Sequence, residues 1–272
     1  MPLVNLKEIL GAAAGEGWAA GSFSVSNMEM VLGVLKAAEE TGSPVILQIA
    51  EVRLKHAAEN ADIPVAVHFD HGTTLEAIQT ALDIGFTSVM IDGSRLSFED
   101  NVAVTRKVKK MADDYGADTE AEIGSVGGSE DGSEHIAVNC TDPGQALDFL
   151  KKTKVDALAA AIGNAHGNYK QAPRLRFDIL ESISAQTTTP LVLHGGTGLT
   201  ADDFKQCIQN GVKKINIATA TFDAVEASVR RAFETKTVAG YYDIQSAEVL
   251  GTYENALKHI EIFGCAGKAD II

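Results

Sequence analysis

The alternation of short apolar runs with longer amphipathic segments constrains the fold of this chain most. Eight runs rich in apolar, often β-branched residues recur along the sequence, at Ala19–Val25, Pro44–Ile49, Pro64–Asp70, Thr87–Asp92, Asp118–Gly124, Asp156–Gly163, Pro190–Gly196 and Lys214–Thr219. Several segments between them, such as Asn27–Gly42 and Phe98–Gly116, space their apolar residues as one helix face does. Near-continuous apolar strands that alternate with helices predict a parallel sheet covered by helices.

Eight such units in 272 residues predict a (β/α)₈ TIM barrel, an α/β fold. A doubly wound open sheet is the alternative, because it has the same alternation. No linker or low-complexity tract divides the chain, so we expect residues 1–272 to form a single catalytic domain, with extra helices at the C-terminal end.

The charge balance limits the class of partner. The formal net charge is −14, from 23 Lys and Arg against 37 Asp and Glu. This excess disfavours nucleic acid and anionic membranes as partners, whereas backbone N–H groups or a metal can still bind a phosphorylated small molecule. There is no apolar run of roughly 20 residues and no secretory signal, and the three cysteines are scattered. We therefore expect a cytoplasmic protein.

Ionisable side chains lie where the predicted strands end, the position at which TIM barrels carry their chemistry. His71 follows the third strand, His166 the sixth, and His194 ends the seventh. Three imidazoles at one rim predict a catalytic zinc site with an open position, although each histidine taken alone could be an ordinary loop or core residue. Other polar residues at these ends are Asn27, Asp92, Glu122, Asn164, Asn216 and Thr219.

The sequence "HFDHG" (residues 68–72) places three ionisable groups at the end of an apolar strand. Because side chains alternate along a strand, His68 and Asp70 share one face, and His71 points away from it. We expect His68 to support Asp70 from below, and Asp70 to be a general acid/base beside a metal-binding His71. The alternative is that Asp70 only hydrogen-bonds His71 or caps the next helix.

Two glycine-rich segments predict a phosphate site. "HGGTGLTADD" follows the seventh strand and "NIATATF" lies on the eighth, where barrels of this type often bind phosphate on free backbone N–H groups. After the fifth strand, "GSVGGSEDGSE" is a candidate mobile lid that carries Glu130, or simply a solvated loop.

Together these segments resemble the class II, metal-dependent ketose-bisphosphate aldolases, a family that includes fructose- and tagatose-bisphosphate aldolases. The matching segments are "FSVSNMEM", "VHFDHG", "EAEIGSVGGSEDG", "IGNAHGNYK", "LVLHGGTGL", "KINIAT" and "IFGCAGKA". The resemblance implies a zinc-dependent aldolase that reversibly cleaves a ketose 1-phosphate or 1,6-bisphosphate to dihydroxyacetone phosphate and an aldehyde. Homodimers or homotetramers are the general expectation for such an enzyme.

The resemblance also implies roles for individual residues. His71, His166 and His194 would bind one Zn²⁺, with Glu122 as an alternate ligand, Asp70 as the catalytic acid/base and Glu130 as the lid residue that moves the second proton. The residues that would bind substrate, its phosphate or a neighbouring Na⁺ or K⁺ are Asn27, Gly167, Gly195, Gly196, Thr197, Asn216, Ala218 and Thr219.

The chain departs from the family pattern at the far end of the sugar. Ala50 stands near the position where bisphosphate aldolases often have a serine, and Ala218 matches the small residue common in tagatose-type members. Arg53 is a candidate partner for an anionic distal group, or a surface arginine. The identity of the sugar therefore stays open. Two other functions remain as alternatives: a metal-dependent hydrolase on the same barrel, and a non-catalytic aldolase-like partner subunit.

Overall fold

Eight parallel strands close into a barrel in this computed structural model, which describes residues 3–49, 60–128, 138–169, 173–235 and 237–272. The strands are β1 (Ala20–Val25), β2 (Val45–Ile49), β3 (Val65–Gly72), β4 (Ser88–Ile91), β5 (Asp118–Ile123), β6 (Gly127–Gly128), β7 (Ala157–Ala160), β8 (Ala165–His166), β9 (Leu191–Leu193) and β10 (Val212–Ile217). Their order around the barrel is β1-β10-β9-β7-β5-β4-β3-β2, and β6 pairs with β8 in a separate two-stranded sheet. Because β1 pairs with both β10 and β2, the sheet has no open edge.

Helices cover the barrel, most of them in the connections between its strands. They are α1 (Leu6–Ala13), α2 (Met28–Thr41), α3 (Leu75–Asp83), α4 (Phe98–Tyr115), α5 (Pro143–Thr153), α6 (Phe177–Ser184), α7 (Ala201–Gln209), α8 (Thr219–Glu234) and α9 (Tyr241–Phe263), followed by a 3₁₀ turn at Ala269–Ile271. Local sequence fixes their ends: the side chains of Asn27 and Ser97 cap α2 and α4, which stop at the left-handed glycines Gly42 and Gly116.

The (β/α)₈ barrel predicted from the eight apolar runs is confirmed, and barrel closure excludes the doubly wound sheet. The extra helical structure at the C-terminal end is present as α9 and the 3₁₀ turn. Several strands are shorter than their apolar runs, because the chain turns into a loop before the run ends. In the run Asp156–Gly163, for example, β7 stops at Ala160, and the Asn164 side chain accepts a hydrogen bond from the Ile162 N–H. The short β6–β8 pair was not predicted.

Charged and polar side chains occupy part of the barrel interior. Lys214 on β10 contacts Glu120 on β5, and His68 on β3 also lies near Glu120; all three are buried. Strands β5 and β10 are separated in the barrel wall by β7 and β9, so the Lys214–Glu120 contact must run through the interior. These groups form a polar layer directly below the C-terminal rim.

Helix α9 packs between α2 and α8 at two glycines. A Cβ atom at Gly33 of α2 would lie 2.6 Å from the carbonyl oxygen of Val249, and one at Gly251 would lie 2.6 Å from that of Ala224. These close approaches explain why glycine interrupts helices in which it is otherwise unfavourable. Among the helices that the structure describes, none is long and apolar enough to cross a membrane.

Candidate active site

The three histidines predicted at the barrel rim lie together in the structure. His71, His166, His194 and Glu122 each offer a ligand atom, and these atoms all lie within 4.8 Å of one another. His71 extends from the end of β3 in the left-handed conformation (φ 47°), which turns its side chain away from the β3 alternation. Its ring centroid lies 4.8 Å from that of His194 and 5.1 Å from that of His166.

A buried carboxylate selects the tautomer of His194. Nε2 of His194 lies 2.8 Å from Oε1 of Glu120, so this nitrogen carries the proton and donates a hydrogen bond to the carboxylate. Burial would raise the pKa of Glu120, but Lys214 and the histidines outweigh it and lower that pKa to about 2. Glu120 is therefore ionised, and Nδ1 of His194 presents a lone pair to the cluster.

Asp92 acts on His71 in the same way. Nδ1 of His71 lies 3.3 Å from Oδ2 of Asp92, whose Oδ1 accepts hydrogen bonds from the Ser94 N–H and hydroxyl. Burial opposes ionisation of Asp92, yet His71 and Ser94 together hold its pKa well below the usual value. Nε2 of His71 then presents its lone pair toward Nδ1 of His194, which lies 3.0 Å away.

This arrangement fits a zinc ion. Two imidazole lone pairs facing each other at 3.0 Å repel unless a cation lies between them. Oε2 of Glu122 lies 3.6 Å from Nδ1 of His194 and has no hydrogen-bond partner within the described residues, while Oε1 accepts from the Val126 N–H. Burial raises the pKa of Glu122, which a bound cation would oppose. Three imidazoles and one carboxylate are a donor set that zinc prefers.

Asp70 lies beside this cluster. Its Oδ2 is 3.8 Å from Nε2 of His71, and its Oδ1 is 3.6 Å from Nε2 of the fully buried His68. Both oxygens accept from Nδ2 of Asn216 at 3.3 Å. Burial would raise the pKa of Asp70, but the neighbouring histidines and Lys214 hold it well below the usual value. Asp70 is thus an ionised carboxylate, able to accept a proton beside the histidine cluster.

His68 lies below Asp70. Its Nδ1 contacts the Ser88 hydroxyl at 2.8 Å, and its Nε2 lies between Asp70 and Glu120. Burial, followed by the charge of Lys214, lowers the pKa of His68, so the ring is neutral. This is the supporting position that the alternation along β3 predicts.

The glycine-rich loop after β9 contacts the N-terminus of α8. Gly195 has φ +64°, and a Cβ atom there would lie 2.2 Å from the carbonyl oxygen of Ala165, so only glycine fits. The Thr197 hydroxyl accepts from the Ala220 N–H in the first turn of α8. Ala218 precedes α8 and has no side chain with which to cap it, while Thr219 is the first helical residue. Backbone N–H groups at the start of a helix that its own N-cap residue does not cap are suited to an anion.

Other predicted site residues lie around this rim. Gly167 directly follows His166 and has φ 78°. A Cβ atom at Gly196 would lie 2.9 Å from Cδ1 of Ile217 and 3.0 Å from the carbonyl oxygen of Asn216, both on β10. Asn27 lies after β1, where its Oδ1 caps α2 by accepting from the Met30 N–H and its Nδ2 donates to Glu248 of α9 at 2.9 Å. Glu130, Arg53 and Ala50 lie outside the described residues.

Sequence reasoning missed two buried members of this site, Glu120 and Lys214. Glu120 lies two positions before Glu122 on β5, and Lys214 two positions before Asn216 on β10. The two-residue period of a strand places each pair on one face. Applied to these strands as it was to "HFDHG", that period would have placed both residues on the interior face, although it would not have predicted their contact with each other.

Comparison with known proteins agrees with the geometry. A family model described as "Fructose-bisphosphate aldolase class-II" matches residues 4–268. Fructose-bisphosphate aldolases of Staphylococcus epidermidis and Staphylococcus aureus are each 38% identical over 289 residues, which cover 99% of this chain and 100% of those proteins. The crystal structure of the YdjI aldolase from Escherichia coli K12 superposes with a TM-score of 0.88 at 33% identity, over 98% of this chain and 99% of that one. The family resemblance inferred from the sequence is thereby confirmed. The chain belongs to the class II fructose-bisphosphate aldolase family and is therefore an aldolase, a carbon–carbon lyase.

Proposed function

We propose that this protein is a zinc-dependent aldolase that cleaves a ketose 1-phosphate or 1,6-bisphosphate to dihydroxyacetone phosphate and an aldehyde. The proposal is carried by three features that lie at one rim: the metal-type cluster, the ionised Asp70, and the N-terminus of α8, which its N-cap residue Ala218 does not cap. A hydrolase acting on an unphosphorylated substrate needs the first two groups only, whereas an aldolase acting on a phosphorylated ketose uses all three.

His71, His166 and His194 are the proposed zinc ligands, with Glu122 as an alternate ligand. Zinc supplies Lewis-acid chemistry, polarising the ketone and stabilising the negative charge that develops when the bond between C3 and C4 breaks. Glu120 and Asp92 keep the histidines in the tautomers that present lone pairs to the cluster. Because Oε2 of Glu122 has no hydrogen-bond partner among the described residues, this carboxylate would be available to hold the ion as the alternate ligand.

Asp70 is the proposed acid/base at the C4 hydroxyl. It removes the hydroxyl proton in cleavage and returns it in condensation. Asn216 donates to both carboxylate oxygens, which fixes the direction in which Asp70 can accept a proton. Glu130, on the segment after β6, is proposed to move the proton at C3.

The phosphate on C1 is proposed to bind between the loop after β9 and the start of α8, at Gly195, Gly196, Thr197, Ala218 and Thr219, with Gly167 and Asn27 nearby. We also propose that Na⁺ or K⁺ binds beside this phosphate and that Arg53 contacts the distal end of the sugar. Residues 1–272 would form one catalytic domain of a cytoplasmic homodimer or homotetramer.

A retro-aldol assay tests the proposal. Purified enzyme is given fructose and tagatose 1,6-bisphosphates and the matching 1-phosphates, and release of dihydroxyacetone phosphate is measured. We expect turnover of at least one ketose phosphate, complete loss with EDTA and recovery with Zn²⁺. Release of inorganic phosphate without dihydroxyacetone phosphate would instead support the hydrolase. Zinc binding without any cleavage would support the non-catalytic partner subunit.

A further inference from the structure

A fully buried lysine lies in the barrel below the proposed zinc site. Lys214 of β10 has no exposed surface, yet it carries an ammonium group into the interior. An uncompensated buried charge is strongly destabilising, so a lysine persists in such a position only if its partners compensate it. Its two described partners each lead to a different part of the proposed site.

The first partner is Asn216, two residues further along β10. Nζ of Lys214 donates to Oδ1 of Asn216 at 2.7 Å. An ammonium group can only donate, so it holds the amide oxygen on its own side and directs Nδ2 the other way. On that other side Nδ2 donates to both oxygens of Asp70 at 3.3 Å. Lys214 thus determines which end of the Asn216 amide faces the proposed acid/base.

The second partner is Glu120 on β5. Nζ of Lys214 lies 2.9 Å from Oε2 of Glu120, and Oε1 of the same carboxylate accepts from Nε2 of His194 at 2.8 Å. The ammonium holds one oxygen while the imidazole N–H holds the other, which fixes the carboxylate plane. Nδ1 of His194 is consequently aimed at the cluster.

The same interior contains a second group of ionisable residues, His68, Asp70 and Glu120. Each has an imidazole nitrogen or a carboxylate oxygen, and these atoms also lie within 4.8 Å of one another. Nζ of Lys214 lies against Glu120 and supplies a positive charge there. This cluster therefore has its counter-ion built into the chain.

We propose that Lys214 is a positioning residue of the aldolase site, whose buried ammonium group orients Glu120 behind His194 and Asn216 beside Asp70. The proposal rests on the proposed function. One side chain then couples the geometry of the metal ligands to that of the proton acceptor.

Substitution of Lys214 by methionine tests the proposal, with Lys213→Met as a matched control. Lys213 is the neighbouring residue on β10, is also buried, and donates to the carbonyl oxygen of Glu16 instead. Folding is checked by circular dichroism and size-exclusion chromatography. Zinc affinity is measured by competition with a fluorescent chelator, and kcat and KM are measured at full zinc occupancy on the substrate that the wild type cleaves.

For Lys214→Met we expect a 10- to 100-fold weaker zinc affinity, as for loss of a group that orients a metal ligand. At full zinc occupancy we expect kcat to fall by about 100-fold with little change in KM, because a misplaced acid/base affects the transition state more than binding. Lys213→Met is expected within twofold of the wild type in both measurements. Wild-type zinc affinity and kcat in a folded Lys214→Met protein, or equal losses in the two variants, would overturn the proposal.

A double variant keeps the test decisive if Lys214→Met does not fold. Lys214→Met/Glu120→Gln removes one charge of each sign, so the interior stays balanced while Asn216 still lacks its donor. We expect its kcat at full zinc to stay at least tenfold below that of Glu120→Gln alone; equal values would overturn the proposal. If the wild type cleaves no ketose phosphate, the proposed function fails, and the comparison of zinc affinities still decides whether Lys214 orients the metal ligands.

Discussion

At the scale of single residues, the chemistry of this site depends on carboxylates behind the histidines. Glu120 accepts a hydrogen bond from Nε2 of His194, and Asp92 accepts one from Nδ1 of His71. The other ring nitrogens, Nδ1 of His194 and Nε2 of His71, then lie 3.0 Å apart with their lone pairs facing each other. The proposed zinc ligands are therefore held in position by residues that would not contact the metal themselves.

Asp70→Asn separates metal binding from proton transfer. The amide keeps the size of the carboxylate but cannot take up the C4 hydroxyl proton. We expect kcat to fall by about 10²- to 10⁴-fold, the usual contribution of general acid/base catalysis, with zinc content unchanged. Turnover and bound zinc are measured on the same preparation. Asp178→Asn, at an exposed carboxylate paired with Arg176, is the control and should retain wild-type turnover. Near-normal turnover of Asp70→Asn would remove Asp70 from the mechanism.

At the scale of secondary-structure elements, α9 joins the last part of the chain to the barrel. It contacts α2 at Gly33 and α8 at Gly251, while Phe263 and His259 pack toward Phe204 of α7. The N-terminal part of α9 also supplies Glu248, which accepts from Asn27 at the rim. Packing of this helix thus stabilises both the fold and one side of the site.

Gly33→Ala tests the close contact between α2 and α9. The new methyl group would lie 2.6 Å from the Val249 carbonyl oxygen and 2.7 Å from Cβ of Thr252. Overpacking should lower the free energy of unfolding by about 1–3 kcal/mol. The higher helix propensity of alanine offsets ~1 kcal/mol of this loss. Urea denaturation measures it. Gly11→Ala in α1 should be neutral or stabilising, because no described atom beyond its chain neighbours and the backbone of its own helix lies within 4 Å of the added Cβ. A stabilised Gly33→Ala protein would contradict this account of the packing.

The buried His259 gives α9 a pH-dependent contribution to stability. Burial lowers its pKa to about 4 in the folded state, below the 6.5 of an exposed histidine. Between these values the unfolded chain binds a proton and the folded chain does not, so the free energy of unfolding falls as the pH decreases from about 6.5 to 4. For this one group the loss is about 3 kcal/mol.

His259→Phe removes this titration while keeping an aromatic ring among Phe23, Phe204 and Phe263. Urea denaturation of both proteins in EDTA at pH 7 and pH 4.5 measures the effect. The wild type should lose about 2–3 kcal/mol more than the variant over this interval. An identical loss in the two proteins would show that His259 does not titrate as described.

At the scale of the whole molecule, the sequence predicts the architecture well because apolar strand segments alternate with amphipathic helical segments eight times. The positions of His71, His166 and His194 also follow from it, since strand ends of a parallel barrel converge at one rim. Glu120 and Lys214 are harder to predict, because their roles come from contact across the barrel between strands that are neither adjacent in sequence nor paired. The left-handed turn at His71, which brings its Nε2 to His194, is likewise a property of the closed barrel.

The most direct test of the account is a titration of metal-free enzyme with Zn²⁺, in which bound zinc and release of dihydroxyacetone phosphate from a cleaved ketose phosphate are measured together. The cluster of His71, His166, His194 and Glu122 predicts that activity rises in proportion to bound zinc and stops increasing at one ion per chain. Full activity in the metal-free enzyme, or no cleavage of any ketose phosphate at full zinc occupancy, would contradict it.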